Sequence, residues 1–355
     1  MSTPVTPADL GGWLHDLSPI IFEVGGFAIR WYGVSYLAGF AAAYLLLRFL
    51  AKRGATAIPA ERVFDVILAL VVGVVVGGRL GYVLLYEPRL LGLVNGFPYW
   101  GVLAVNNGGM SSHGGIVGVI LAAWKISRGA KNEHGEQVGR CPPLHAMDMC
   151  ALIAPAGLLF GRIANFINGE LLGRIVAGPG ESAPWWSVRY PQEILSEFDR
   201  LPHSDSQLDR VIRLSNEYAL GEENWFGGYE RLLSAIQRGD AAAQTAVEPL
   251  LSARYPTQLM QASLDGLLVG VVVWIVSMKR RAPGVIGAWF LIVYGLGRVP
   301  MDLVRLPDAG IVQFGGLTRG QVYSGLMVIA GVILLLWVRK RGAEKLSGGW
   351  LRQVS

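Results

Sequence analysis

The residues best suited to chemistry include an arginine and two asparagines within one apolar stretch. Arg162, Asn165 and Asn168 are three residues apart, so a helix places them in one row. An arginine fork beside amide donors suits a phosphate group. Gly169 and Gly173 follow, and they predict that the helix ends there and that backbone approaches a ligand. The run therefore indicates a phosphate site, with a purely structural polar clamp between helices as the alternative.

A second set of charges lies near the C-terminal end of the chain. Arg298, Asp302 and Arg305 fall at positions i, i+4 and i+7, which share one helical face. Two arginines around one carboxylate leave a positive face that fits an anionic head group, with Asp302 orienting Arg298. Pro300 lies within this run and predicts a kink or break, as is common at membrane sites. The alternative is a self-satisfied ladder of ion pairs near the outer interface.

A single histidine lies between two pairs of glycines. His113 follows Gly108-Gly109 and precedes Gly114-Gly115, at the mouth of an apolar segment. This position is expected to expose both ring nitrogens. Histidine titrates near neutral pH and can relay a proton, so His113 is a candidate acid or base. A structural histidine is the alternative.

Weaker candidates are polar residues near the ends of apolar segments, namely Arg79, Tyr32 and Gln258. Arg79 shares a helix face with Tyr82 and Tyr86. Tyrosines at such positions are more often anchors at the membrane interface. The chain has no metal-ligand spacing, P-loop or GxSxG motif, so chemistry without a cofactor is expected.

The elements that must position these residues are apolar helices. Of 355 residues, 52% are hydrophobic and 16% are charged, against roughly 25% charged in soluble domains. A membrane span needs about 20 mostly apolar residues. The sequence predicts an all-α integral membrane protein with about seven spans, the third being the shortest. These spans are 28–50, 62–86, 112–128, 145–168, 257–278, 284–303 and 320–338.

Several other functions are disfavoured by composition. The net charge of +5 is typical of basic membrane loops, and no basic stripe with aromatics indicates nucleic-acid binding. Residues 1–29 contain no Lys or Arg, so the first apolar segment is expected to stay as a permanent span. Cys141 and Cys150 have no zinc-type partners and are expected to be ordinary thiols.

Basic residues predict the orientation. Lys and Arg concentrate in alternate connections, which places the N-terminus outside and the C-terminus in the cytoplasm. The long connection 169–256 would then form a head at the outer face, with helical periodicity over 206–252. The expected division is 1–168 for spans one to four, 169–256 for the head, 257–341 for spans five to seven and 342–355 for a cytoplasmic tail.

The run 161–174 resembles the signature of bacterial prolipoprotein diacylglyceryl transferases. The matching residues there are Gly161-Arg162, Asn165-Phe166-Ile167-Asn168-Gly169-Glu170 and Gly173-Arg174. Further motifs occur in that family's order: Trp31-Tyr32-Gly33, Gly78-Arg79, Gly109-Met110-Ser111, His113-Gly114-Gly115, Pro256-Thr257-Gln258-Leu259, Tyr294-Gly295, Arg298, Arg305 and Pro307-Asp308. The resemblance covers the whole chain apart from most of the head.

The resemblance implies an activity and its partners. The family transfers the diacylglyceryl group of phosphatidylglycerol to the lipobox cysteine in the signal peptide of a prolipoprotein, within the bacterial inner membrane. A thioether forms and glycerol phosphate leaves. The positions that match the family's site are Tyr32, His113, Arg162, Asn165, Glu170, Gly173 and Arg298.

A mechanism follows as a hypothesis. The substrate's own thiol is the nucleophile, in its thiolate form. Arg162 and Arg298 would bind the phosphate, and Asn165 would help to place it. His113 would accept the thiol proton or polarise the head group, while Tyr32 and Glu170 would orient these groups.

A second function remains open, that of a catalytically weak or silent lipid-binding paralogue with the same fold. Met260-Gln261 stands where the family usually has Tyr-Glu, and Asp302 stands where Glu is usual. The intact 161–174 run favours the enzyme. A solute transporter is disfavoured because the chain shows no internal repeat.

Overall fold

The structure is a computed structural model. It describes residues 10–351, apart from residues 26, 96–97, 105–107, 197, 199–200, 202, 222–223 and 307–316. The helices are α1 (Trp31–Lys52), α2 (Val63–Leu85), α3 (Ser112–Ser127), α4 (Pro143–Asn168), α5 (Glu193–Ser196), α6 (Asp205–Tyr218), α7 (Trp225–Gln237), α8 (Ala241–Val247), α9 (Thr257–Ser277), α10 (Val285–Val304) and α11 (Arg319–Arg341). The short strands are β1 (Trp13–Leu14), β2 (Ile20–Val24), β3 (Phe27–Arg30), β4 (Ala130–Lys131), β5 (Gln137–Val138), β6 (Ile175–Ala177), β7 (Val188–Arg189) and β8 (Ala253–Arg254).

Long apolar helices dominate the chain, as the sequence predicts. Among the described residues, six helices are long and apolar enough to cross a membrane: α1, α2, α4, α9, α10 and α11. The prediction of an all-α membrane protein is confirmed. Helix α2 consists mostly of Val, Leu, Ile, Ala and Gly, which favour lipid over water.

The predicted third span differs from the other six. It forms α3, which has only 16 residues and therefore rises about 24 Å, less than the roughly 30 Å hydrocarbon core. The Ser111 side chain accepts a hydrogen bond from the Gly114 N–H at 3.2 Å and begins the helix. Gly129, with φ of 73°, lies just past its end. The described residues therefore contain six long apolar helices and the shorter α3.

The chain divides into two compact units. Unit one comprises Met1–Gly39, Leu158–Leu267 and Leu296–Gly325, and unit two comprises Phe40–Gly157, Leu268–Gly295 and Leu326–Ser355.

Unit one contains a small sheet with strand order β1-β7-β8-β6. Strand β1 pairs parallel to β7, while β8 pairs antiparallel to β7 and β6. Beside it, α6, α7 and α8 form a separate hydrophobic core that includes Tyr229, Leu232 and Ile236, all fully buried. These helices confirm the helical periodicity predicted over 206–252.

Helix α9 contains a stretch of π-helix. Residues Ala262–Leu268 adopt this wider helix, which is rare and often found at functional sites. Gly266 lies in this stretch, and a Cβ there would come within 2.7 Å of the Leu159 Cβ. The absence of a side chain lets α9 approach α4 closely at this point, one residue after Asp265.

Unit two is built around α2 and α3, whose glycines face one another. A Cβ at Gly77 would lie 2.4 Å from the Gly114 carbonyl oxygen, so the two backbones are in direct contact. In the same unit, Ser347 pairs with Arg281, and Trp350 Nε1 donates to Ser277 Oγ at 2.9 Å. Burial raises the pKa of the Cys141 thiol to about 11, which fits the ordinary thiol expected there.

Candidate active site

The predicted row of polar residues lies in the last turns of α4. Arg162 Nη1 donates to Asn165 Oδ1 at 3.4 Å, which confirms that these residues are neighbours on one helical face. The helix ends at Asn168, and Gly169 adopts a positive φ of 66°. A Cβ at Gly169 would lie 2.4 Å from the Gln192 side chain, so both the backbone conformation and the space favour glycine.

Asn165 is the centre of a hydrogen-bond network. Its Nδ2 donates to Tyr32 Oη at 2.9 Å and to Glu170 Oε2 at 3.3 Å. Asn168 Nδ2 donates to Glu170 Oε1 at 2.8 Å. Four polar side chains predicted from two separate motifs are thus brought together, Tyr32 from the first span and three from the run 161–174. Because Tyr32 and Asn165 are 133 positions apart, only the tertiary structure joins them.

The backbone after α4 is held from the side by α9. Gln258 Nε2 donates to the Glu170 carbonyl oxygen, and Thr257 Oγ1 donates to the Leu171 carbonyl at 3.0 Å. Leu171 has a positive φ of 56°, an uncommon conformation for a residue with a side chain. Gly173 packs against the Tyr255 carbonyl, where a Cβ would come within 2.3 Å. Gln258 therefore shapes this segment through its backbone.

The second cluster contains a residue that the sequence analysis missed. Asp265, on the π-helical part of α9, has a fully buried side chain. Its Oδ2 lies 4.0 Å from Arg162 Nε and 3.8 Å from Arg298 Nη1. Neither carboxylate oxygen of Asp265 accepts a hydrogen bond from the described part of the chain. The arginines of two different motifs thus flank one buried carboxylate.

A signal for Asp265 was present in the sequence. It is the only acidic residue within the predicted span 257–278. A charge inside a span costs about 2.5–3.5 kcal/mol on insertion scales, so it usually marks a partner or a function. The same criterion that selected Arg162 also applies to Asp265.

The predicted Arg298–Asp302–Arg305 face is only partly realised. Asp302 accepts a hydrogen bond from Thr318 Oγ1, and it lies against Gly320 at the start of α11. Arg298 instead faces Asp265, so the expected orientation of Arg298 by Asp302 is replaced by a carboxylate from another helix. The Arg305 backbone pairs with Gly173, and its carbonyl accepts from Arg174 Nε at 3.2 Å. Pro300 lies within α10, which continues to Val304.

Arg79 and His113 belong to unit two. The buried Arg79 guanidinium donates to backbone carbonyl oxygens of the connection between α2 and α3. These acceptors are Gly101, Val102, Ala104, Gly108 and Gly109. Such bonding favours a structural role in holding this connection. His113 is exposed in the first turn of α3.

The participation of Arg79 and His113 in substrate binding or catalysis stays a prediction. The Pro307-Asp308 motif lies outside the described residues.

The arrangement in unit one can bind an anion. Two guanidinium groups and one carboxylate leave a net positive charge, and both arginine side chains are less than one-fifth exposed. Charge-assisted hydrogen bonds from arginine are strongest where water is largely excluded. The neighbouring network of Tyr32, Asn165 and Glu170 supplies neutral and acidic groups that can orient a polar head group.

Comparison with known proteins identifies similar chains of one family. A family model described as prolipoprotein diacylglyceryl transferase matches residues 19–337. A phosphatidylglycerol–prolipoprotein diacylglyceryl transferase of Bdellovibrio bacteriovorus is 39% identical over 360 residues, covering 96% of this chain and 97% of the relative. The proteins of the same name from Stenotrophomonas maltophilia and Xylella fastidiosa are 34% and 33% identical, each over more than 90% of both chains.

Proposed function

The chain belongs to the prolipoprotein diacylglyceryl transferase family, and on that premise we propose that it transfers the diacylglyceryl group of phosphatidylglycerol to the lipobox cysteine of a prolipoprotein. The thiol sulfur forms a bond to the glycerol carbon that carries the phosphate ester. The carbon–oxygen bond to phosphate breaks, and glycerol phosphate leaves with the electron pair. The thiol proton passes to a base. This reaction is the first step of lipoprotein maturation.

The observation that supports this proposal most directly is the pair of arginines around Asp265. The leaving group gains negative charge as the carbon–oxygen bond breaks, because a phosphodiester becomes a phosphomonoester. Arg162 and Arg298 stabilise that charge. Preorganised positive charges in a site with little water stabilise such a transition state most strongly. Asp265 holds the two guanidinium groups near each other before the lipid binds.

The other predicted residues take positioning roles in this proposal. Asn165 and Asn168 place the head group, while Tyr32 and Glu170 orient Asn165 through the hydrogen bonds described above. Gln258 and Gly173 shape the backbone beside Glu170. Arg305 adds positive charge, and Asp302 fixes the start of α11 through Thr318. His113 remains our candidate for the base that takes the thiol proton.

The protein is embedded in a membrane, and we place it in the bacterial inner membrane with the N-terminus outside. Lys and Arg in alternate connections support this orientation. Helix α3 runs back along α2, since Gly118 faces Gly73 whereas Gly114 faces Gly77 and Gly81. The chain thus returns toward the side where α2 begins, although α3 is short. On this topology the 169–256 head lies at the outer face and the 342–355 tail in the cytoplasm.

The test uses purified protein, phosphatidylglycerol and a synthetic lipobox peptide. Wild type is expected to increase the peptide mass by one diacylglyceryl group, and Arg162→Ala is expected to slow this change by about 10²–10³-fold. A peptide with serine in place of the lipobox cysteine serves as the substrate control. Lipid binding without any mass change in wild type would instead favour a silent lipid-binding paralogue.

Growth of a strain depleted of its own enzyme gives a second readout. Wild type is expected to restore growth and lipoprotein lipidation, whereas Arg162→Ala is not. Normal growth and lipidation with Arg162→Ala would show that Arg162 does not bind the phosphate.

A further inference from the structure

A long apolar groove runs along the pair formed by α2 and α3. Its volume is about 810 Å³, and it lies wholly within unit two. One wall includes Val72, Val76 and Leu80 of α2, and the other includes Val117 and Leu121 of α3. The arginine site described above uses none of these residues.

The groove exists because glycines occupy the contact between the two helices. A Cβ at Gly73 would lie 2.6 Å from the Gly118 carbonyl oxygen, and Gly77 and Gly81 approach Gly114 as closely. The backbones therefore meet without side chains between them. Larger residues on both sides remain half exposed and form the walls, with Val76 at 49% and Leu121 at 59%. An ordinary lipid-facing helix is convex, whereas this surface is concave.

The groove extends from one end of the helix pair to the other. Asp65 and Lys125 line one end, while Leu85 and His113 line the opposite end. From Asp65 to Leu85, α2 rises about 30 Å, which equals the thickness of the hydrocarbon core. A phospholipid tail reaches only about half of that distance, since each leaflet supplies half of the core. One lipid tail therefore fills at most about half of the groove, whereas a helix that crosses the membrane can follow its whole length.

We propose that this groove binds the hydrophobic segment of the prolipoprotein signal peptide as a helix. This inference rests on the proposed function, because it names where the protein substrate of that reaction binds. The apolar h-region of a signal peptide has 7–15 residues and would span roughly 10–22 Å as a helix. The basic n-region then lies at Asp65, and the end that leads to the lipobox lies at His113.

Two charged residues of opposite sign at one end of the groove make this direction testable. Asp65 is exposed at the end that we place on the cytoplasmic side, where the positive n-region of a signal peptide remains. Lys125 lies at the same end and repels a basic segment, so its substitution should have the opposite effect on binding. The two charges predict that Asp65 strengthens binding of the peptide and that Lys125 weakens it.

Photo-cross-linking tests the occupant directly. A lipobox peptide with a benzophenone group in the middle of its h-region is irradiated with the wild-type protein in vesicles that contain phosphatidylglycerol. Adducts are expected on residues 68–84 and 117–121. Adducts confined to α11, or a groove labelled only by phosphatidylglycerol with benzophenone in its acyl chain, would overturn the proposal.

Filling the groove tests its use in catalysis. Val76→Trp and Leu121→Trp are expected to raise the KM for the peptide at least about tenfold, with the KM for phosphatidylglycerol nearly unchanged. Ile333→Trp on α11, where Ile333 is 60% exposed outside the groove, is the matched control and should change neither constant. An equal rise in the KM of both substrates, or no change, contradicts peptide binding here.

Changing the charges tests the direction of the peptide. Asp65→Asn is expected to raise the KM several-fold for a peptide with a basic n-region and to leave a peptide with a neutral n-region unaffected. Lys125→Gln is expected to lower the KM of the basic peptide. Equal effects on both peptides contradict the assignment of the n-region to this end.

These outcomes are distinct from failure of the proposed function. If the wild-type protein transfers no diacylglyceryl group, the function itself is wrong, whatever the cross-links show. If the wild type is active and the groove variants behave as the control does, only the groove assignment is wrong.

Discussion

Two clusters in unit one bury arginines beside a carboxylate, and they differ in how fully the charges are satisfied. Within the segment 169–256, Arg254 Nε lies 2.5 Å from Glu193 Oε2, and Glu193 Oε1 also accepts the Ser252 N–H at 2.7 Å. At the arginine site, Asp265 lies 3.8–4.0 Å from Arg162 and Arg298 and accepts no hydrogen bond from the described residues. Both carboxylates are fully buried.

The difference separates a structural pair from a binding site. A buried charge with every hydrogen bond made fixes the backbone around it, and breaking it is costly. Arg189 is another such case, since its guanidinium donates to the carbonyl oxygens of Leu10, Glu181 and Leu251. At the arginine site, Arg298 Nη1 is instead buried without an acceptor among the described residues, so it can donate a charge-assisted hydrogen bond to an anionic ligand.

The largest expected effect would come from breaking the satisfied pair. Glu193→Ala leaves the Arg254 charge buried without its partner, so it should lower the free energy of unfolding by about 3–5 kcal/mol. Thermal unfolding in detergent measures this loss. The exposed Glu230→Ala is the matched control and should change stability little. A stable Glu193→Ala protein would show that the Arg254–Glu193 pair is not needed for the fold, which contradicts its structural role.

At the arginine site, the effect should fall on catalysis and not on stability. Arg162→Ala and Arg298→Ala are each expected to lower kcat/KM by about 10²–10³-fold, the usual cost of losing one preorganised group that stabilises the transition state. Unfolding temperatures should stay near that of wild type. Arg162→Lys, which keeps the charge without the fork, should recover part of the activity. If these variants instead unfold at a lower temperature and keep full activity, the arginines only hold the helices together.

In our proposal, Asp265 holds the two arginines near each other and does not itself bind the anion. Asp265→Asn should lower kcat by about 10–100-fold, since the guanidinium groups lose their common partner. Affinity for phosphatidylglycerol should stay unchanged or increase, because the site becomes more positive. Asp302→Asn is the control, since Asp302 bonds Thr318, and it should mainly affect stability. A similar loss of kcat in both variants would indicate that Asp302 also orients Arg298, as the sequence predicts.

The smallest expected effect concerns pH and the N-terminal strand. His15 Nε2 donates to the Phe166 carbonyl at 2.7 Å, and burial lowers the pKa of the imidazole. The folded state therefore favours the neutral ring, and the stability it contributes is present above the unfolded pKa of about 6.5. That stability is lost as pH falls from about 6.5 through the lower folded pKa.

The control for this pH dependence is His15→Gln, which cannot titrate. Unfolding of wild type and His15→Gln between pH 7.5 and 5 is the measurement. The two proteins should differ in the slope of stability against pH. Parallel slopes would mean that protonation of His15 does not limit stability.

The sequence predicted the long helices well because a run of about 20 apolar residues is a local property. The run 145–168, for example, became α4, Pro143–Asn168, with an error of two residues at its start. The bounds predicted for α3, 112–128, agree with the helix Ser112–Ser127, which the sequence also indicated as the shortest span. A serine cap and a following glycine limit its length, and its glycines pack tightly on α2.

Within the site, spacing predicted neighbours on one helix and failed for partners on different helices. Arg162 and Asn165 are adjacent, as their separation of three residues requires. Spacing also suggested Asp302 as the partner of Arg298, yet the carboxylate facing Arg298 is Asp265. Asp302 lies one turn from Arg298 on the same helix, but Asp265, on a helix packed against it, is the carboxylate that faces Arg298.

The sequence by itself determined the membrane class, the long helices and the arginines that mark the site, because hydropathy and intramembrane charge are read along the chain. Only the tertiary structure decided which charges meet. The π-helical turn of α9 brings Asp265 between Arg162 and Arg298, and the end of α4 joins Asn165 to Tyr32. Such partners depend on how helices pack, which depends on shape at each contact and not on spacing along one segment.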